Sequence, residues 1–545
     1  MIINANLVNL FNKTIQQADI LIEEKRIKKI SVTGKENPAL PYILPGFVDA
    51  HVHVESSMLT PVQFARLAVV HGTVATVSDP HEIANVMGVQ GVEYMIEDGK
   101  RVPFKFCFGA PSCVPATIFE TAGATITPDD VRDLLAKEEI GYLAEVMNFP
   151  GVLNADPDMI AKINWAKHFN KPADGHAPGL RGEAAKNYAA AGMTTDHECF
   201  TYEEAKEKIA YGVKILIREG SAARNFDALI PLLAEFPEQI MFCSDDKHPD
   251  FLVEGHINLL VKRALENGND IWNVLHAACL NPVLHYKLPV GLLKEYDPAD
   301  FIVVDNLTDF NILQTWLDGE KVAENNISLL PDLRSSHINQ FNCTIKKASD
   351  FQCIAEENAS QIKIIEALEG QLITNGLTEE ISVQDGFIVS DPERDILKIS
   401  VINRYKDTEP AIAFIRNFGI KKGAIASTVA HDSHNIIAVG CDDDSICEAV
   451  NMLIESKGGI SAVGDGQKLL LELPIAGLMS DDDGYKVANA YTEMDQFVKS
   501  SLKSTLQSPY MTLSFMALLV IPALKLSDKG LFDGEKFEFV PLSIL

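Results

Sequence analysis

The chain has 545 residues, 47% hydrophobic and 23% charged, a composition of globular proteins built from two or three packed units. A formal charge of -29 with no local basic patch excludes nucleic acid as a partner and favours a small, neutral or cationic substrate. Nine scattered cysteines without a Cys-x-x-Cys pair, no leader-like N-terminus and no apolar run of membrane length predict a cytoplasmic protein with reduced thiols and no membrane association.

Residues 1–45 alternate short β-like runs with polar turns, as in Ala18 to Ile22 and Ile27 to Val32, and predict a small N-terminal β unit. Eight β-rich runs follow within 46–295: Phe47–His53, Thr73–Asp79, Phe104–Ala110, Tyr142–Met147, Pro172–His176, Met193–His197, Val213–Arg218 and Ile240–Asp245. Helical stretches at Pro61–Val70, Pro128–Glu138, Asp158–Phe169 and Tyr202–Tyr211 separate several of them. That alternation predicts an α/β fold, a (β/α)8 TIM-like barrel whose reactive face lies where the strands end. Residues 296–335, with Phe301 to Asp305 and Thr315 to Leu317, return to the β unit, giving a small β-sandwich built from both barrel flanks. Residues 340–545 continue no barrel period and read as an additional C-terminal α+β domain.

In Pro45-Gly46-Phe47-Val48-Asp49-Ala50-His51-Val52-His53 the first barrel strand ends in two histidines at i and i+2, which share one strand face. Paired imidazoles at a barrel strand end suit a divalent metal, since neutral nitrogen donors need no deprotonation at neutral pH. Four other predicted strands end in Glu145, His176, His197 and Asp245. A carboxylate inside the apolar run Leu143 to Met147 is costly unless something partners it. Taken singly, each histidine has an ordinary packing role as alternative, and Asp245 a helix N-cap. Together they supply enough ligands for two metals.

The His-x-His on strand one, histidines on strands five and six and aspartate on strand eight resemble the amidohydrolase superfamily. The flanks Pro45–Met58, Ser78–Val86, Glu145–Val152, Asp174–Leu180, Ile217–Asn225 and Cys243–Pro249 resemble, within it, the bacterial adenine deaminase family, nearly end to end. The resemblance implies hydrolytic deamination of adenine to hypoxanthine and ammonia by metal-activated hydroxide, a purine-salvage reaction. It also implies the ligand set His51, His53, Glu145, His176, His197 and Asp245, with Asp246 as the alternative to Asp245. Catalytic roles fall to Asp245, as proton carrier, and to Glu145, which stands where many superfamily members carry a carboxylated lysine. The cofactor is then a divalent metal, binuclear, with manganese or iron favoured and zinc compatible.

Loops at the strand ends offer substrate contacts: His81, Glu82, Ser112, Glu120, Arg218 and Glu219, with Cys113 beside them and Glu198 placed to orient a ligand. The cluster Ala430 to Asn435 offers a third metal site or a lid facing the barrel, and a capped turn is the simpler reading. The rival functions are a cyclic amide hydrolase of the dihydroorotase or hydantoinase type, disfavoured by Glu145, and a metal-free barrel serving as an assembly module, disfavoured by the full ligand set. Pairing into a homo-oligomer is common for large barrels with added domains, although no repeating surface stripe specifies it.

Overall fold

The computed structural model describes residues 1–357 and 359–544. Strands β1 (Ile2–Asn9), β2 (Thr14–Glu23), β3 (Arg26–Lys35) and β4 (Tyr42–Leu44) precede the barrel. The barrel strands are β5 (Phe47–Val52), β6 (Thr73–Ser78), β7 (Lys105–Ala110), β8 (Ile140–Val146), β9 (Ala173–Gly175), β10 (Met193–Asp196), β11 (Lys214–Arg218) and β12 (Ile240–Cys243). After it come β13 (Phe301–Val304), β14 (Ile312–Leu317), β15 (Glu320–Glu324) and β16 (Ile327–Ser328).

The flanking strands form one hydrogen-bonded sheet in the order β16-β15-β14-β13-β4-β1-β2-β3, joined where Ile43 of β4 pairs with Val303 of β13. Period-two alternation gives this sheet two apolar faces. Ile43, Phe301 and Val303 enter a satellite core with Ala5, Leu7, Ile20 and Trp316. Leu44, Ile302 and Val304 turn the other way and join the core of the barrel.

β5 to β12 are parallel and ordered consecutively. Strands buried on both faces read as nearly continuous apolar runs, which is why a carboxylate among them stands out. The ring closes at the site: the Asp245 N–H donates to His51 O at 2.9 Å and the His53 N–H to Asp245 O at 3.3 Å. At the opposite end of β5, a Cβ on Gly46 would lie 2.2 Å from Val74 Cγ1, so only glycine lets the two strands approach. The intervening helices start as their sequences dictate. Thr127 and Asp130 make a capping box for Pro128–Leu135, and Asp156 and Thr201 cap Pro157–His168 and Tyr202–Ala210.

In the C-terminal unit Leu397–Ile402 pairs on either side with Ala411–Arg416 and Ile436–Gly440. Helix Asp443–Ser456 covers one face through Ile446, Val450 and Leu453. The other face, with Ile399, Val401 and Val439, belongs to the same core as the barrel. Polar ties run along this seam: Arg66 Nη1 donates to Asp483 Oδ2 at 2.8 Å, the Ser480 N–H to Met58 O at 2.8 Å and Asn435 Nδ2 to Thr121 O at 2.9 Å. Among the described residues no helix is long and apolar enough to cross a membrane, and the nine cysteines are all free thiols.

Candidate metal centre

Side chains from five barrel strands converge at their C-terminal ends. His51 Nε2 lies 3.3 Å from His53 Nε2, and Asp245 Oδ1 lies 3.6 and 3.2 Å from those two atoms. Glu145 closes the group, with Oε2 3.8 Å from His51 Nε2 and Oε1 3.6 Å from His53 Nε2. Tetrahedral ligands about 2.1 Å from a cation stand roughly 3.4 Å apart, so these spacings are those of a coordination shell. On its other side Glu145 Oε2 lies 2.9 Å from His176 Nδ1 and 3.0 Å from His197 Nε2, so one carboxylate faces two groups of donors. Asp245 reaches the first group from a left-handed backbone, φ 55°, a conformation that aspartate tolerates better than most residues.

Behind the donors, Arg218 holds two carboxylates. Its Nη1 donates to Asp245 Oδ2 at 2.5 Å, while Nη1 and Nη2 clamp Glu198. Asp49, on the same strand as the His-x-His pair, accepts from the Ser244 N–H at 3.0 Å and from its hydroxyl, and lies 2.7 Å from His256 Nε2. It thereby ties strand one to the residue before Asp245.

The charge balance also fits cations. Glu82, Glu145, Glu198, Asp245, Asp246 and Asp432 line one cavity, against the single guanidinium of Arg218. Burial raises the Glu145 carboxyl, but His176 and His197 hold it well below the ordinary carboxylate range. Burial likewise raises Asp245, and Arg218 reverses the effect. Burial lowers His176, yet Glu145 and Glu198 lift it to about 9, whereas burial and neighbouring His197 push His51 well down. The carboxylates thus demand positive charge that the imidazoles supply only by binding protons. His176 Nε2 is buried without a hydrogen-bond partner. Carboxylate and imidazole donors in this number suit one or two divalent transition ions.

His81 and Glu82 line the cavity, as do Arg218 and Asp246. Asp246 is turned from the donor cluster and accepts from Ser56 Oγ at 2.5 Å, so Asp245 is the member of the pair that faces His51 and His53. Three other expected contact residues stand apart from the cavity lining. Ser112 Oγ donates to the backbone oxygen of Glu145 at 2.5 Å. Glu120 accepts from the Thr117 N–H and hydroxyl, both at 3.2 Å. Glu219 pairs with Arg263 at 3.0 Å.

The sequence reading missed Asp79, whose Oδ2 lies 3.2 Å from His81 Nδ1 and accepts from the Glu145 N–H at 3.2 Å. Its place at the end of a barrel strand was the available signal. The 430–435 segment is a capped turn, with the His434 N–H donating to Ala430 O at 2.7 Å and the Ala430 N–H to His434 Nδ1 at 3.2 Å, and it is also buried against the barrel: His431 and His434 both bond to Glu82, and Asp432 Oδ1 lies 3.4 Å from His81 Nε2. The segment faces the barrel because three of its polar side chains find their partners there.

The Amidohydrolase family matches residues 42–322 and the Adenine deaminase C-terminal domain matches residues 371–538. A protein of Sulfurovum sp. (strain NBC37-1) called adenine deaminase is 55% identical over 540 residues, 99% of each chain. Another of that name from Salinibacter ruber is 53% identical over 99% of this chain and 98% of its own. A β-aspartyl dipeptidase crystal structure from Fervidobacterium islandicum AW-1 superposes with a TM-score of 0.47 at 15% identity, covering 60% of this chain and 98% of that one.

Proposed function

The chain belongs to the amidohydrolase family and, along its whole length, to the adenine deaminases, and from that premise we propose that it hydrolyses adenine to hypoxanthine and ammonia. The observation that carries the reading is the convergence of His51, His53, Glu145, His176, His197 and Asp245 beneath a small cavity. In this reading those six residues would hold two divalent cations. Manganese or iron is the metal we favour, and zinc satisfies the same donors. Cations bound there supply Lewis acidity that brings the pKa of water to about 7.

The chain's own residues do the rest. Asp245, kept ionised by Arg218, accepts a proton from the attacking water and returns it to the departing N6 amine, so that adenine plus water balances as hypoxanthine plus ammonia. Arg218 acts through Asp245: fixed also by Glu198, it stops the carboxylate from rotating away.

Manganese-loaded protein incubated with adenine should release ammonia with the ultraviolet shift to hypoxanthine. Opening of a cyclic amide such as dihydroorotate, with adenine left intact, would instead make this a cyclic amide hydrolase.

A further inference from the structure

The C-terminal unit finishes the cavity, contributing Leu372, His431, Asp432, Phe515, Leu518 and Val520 to its lining. Two polar atoms of this wall, Asp432 Oδ2 and His431 Nε2, have no hydrogen-bond partner, on side chains belonging to residues only 4% and 3% exposed. Buried polar atoms are nearly always partnered, so two orphans on one cavity wall point to a ligand that partners both.

The rest of each side chain is held. His431 Nδ1 bonds to Glu82, and its ring stacks on Phe515, with centroids 4.9 Å apart and planes 18° from parallel. Asp432 Oδ1 sits 3.4 Å from His81 Nε2. Lys525, fully buried, donates from Nζ to Leu372 O at 2.6 Å and to Phe515 O at 3.0 Å, tying together the two segments that carry the apolar part of the wall. The orphan atoms are therefore fixed in place, as recognition groups must be.

We propose that this wall is the subsite for the five-membered ring of an unsubstituted purine, with Asp432 accepting the ring N–H and His431 Nε2 pairing with a ring nitrogen. The proposal rests on adenine as the substrate. The His81 ring spans from Asp432 to Glu145, 3.4 Å from the first and 3.5 Å from the second. His81 thus links the C-terminal wall to the donor cluster, which places Asp432 on the rim of the cavity away from Glu145. A free purine carries one N–H on its five-membered ring. A purine substituted at N9 has lost it and would leave the buried Asp432 carboxylate unpaired, a mismatch that hydrogen-bonding sites reject strongly.

The test uses full-length, metal-loaded protein, wild type and Asp432→Ala, with Asp432→Asn as the isosteric variant should the alanine fail to fold. Turnover of adenine and of 9-methyladenine is compared, hypoxanthine binding is followed by calorimetry, and metal content is measured on each sample. Wild type should prefer adenine to 9-methyladenine. Asp432→Ala should lose about ten- to hundred-fold in adenine kcat/KM, chiefly through KM, and in hypoxanthine affinity, with metal unchanged and the preference for adenine reduced by a similar factor. Asp432→Asn should move the same way by a smaller factor. The subsite is refuted if a folded variant binds hypoxanthine and turns over adenine within twofold of wild type, if wild type accepts 9-methyladenine as readily as adenine, or if activity is lost only together with metal. Wild-type protein that leaves adenine intact but binds hypoxanthine through Asp432 would refute deamination and support the subsite.

Discussion

Glu82→Gln isolates the contact between barrel and C-terminal unit while preserving side-chain volume. The Glu82 carboxylate bonds to both His431 and His434, and all three residues are buried. Burial by itself lowers His431, but Glu82 outweighs it, with Asp246 adding to the effect, and lifts the imidazole to about 9. Against an ordinary value near 6.5, that difference is worth about 3 kcal/mol. Because the folded value is the raised one, the stabilisation is fully present below about pH 6.5 and is lost as pH rises through about 9. Glutamine removes the charge that lifts His431, so the 431–434 segment should open about a hundredfold more often near pH 6. The His434 amide, which donates to Ala430 O at 2.7 Å, reports that opening by hydrogen exchange, read as the ratio of variant to wild type. The ratio should shrink towards unity near pH 10, where wild type too has lost the charge pair. Equal protection within about twofold near pH 6, or an undiminished ratio near pH 10, would refute the reasoning.

Asp245→Asn, chosen because asparagine also tolerates the left-handed backbone at φ 55°, should lower kcat by about 10²–10⁴-fold with the near-ultraviolet circular dichroism unchanged; near-normal turnover would remove Asp245 from proton transfer. Arg218→Met strands Glu198 and Asp245 as buried carboxylates and should cost about 3–5 kcal/mol, seen as a lower urea midpoint; an unchanged midpoint contradicts the clamp. Gly46→Ala drives a Cβ against Val74 and should cost about 1–3 kcal/mol through overpacking, lowering the thermal midpoint, with partial recovery in the double variant carrying Val74→Ala. Chelation should abolish turnover and manganese should restore it; activity that survives complete metal removal would disprove metal dependence.

How far the sequence reached depends on separation along the chain. His51 and His53 were legible because strand geometry places i and i+2 on one face, and Glu145 because a carboxylate in an apolar run needs a partner. The same reasoning applied to Asp49, inside the apolar start of β5, would have marked it as needing partners, which Ser244 and His256 supply from far along the chain. All eight barrel runs are strands, since period and spacing are local properties. Glu82 and His431 are 349 residues apart, and no local pattern pairs a barrel loop with a turn in another unit. The polarity of 431–435 is shared by ordinary capped turns, and only burial against Glu82 and His81 separates the two. Glu219 shows the converse: it follows a barrel strand directly, yet its carboxylate turns outward to Arg263, an orientation that position at a strand end does not specify.

The most direct measurement is metal content and adenine conversion on one purified sample. Deamination at a paired metal centre predicts about two equivalents of transition metal per chain and equal yields of ammonia and hypoxanthine from the adenine consumed. Fully metal-loaded protein that leaves adenine intact, or metal-free protein that converts it, would contradict that assignment.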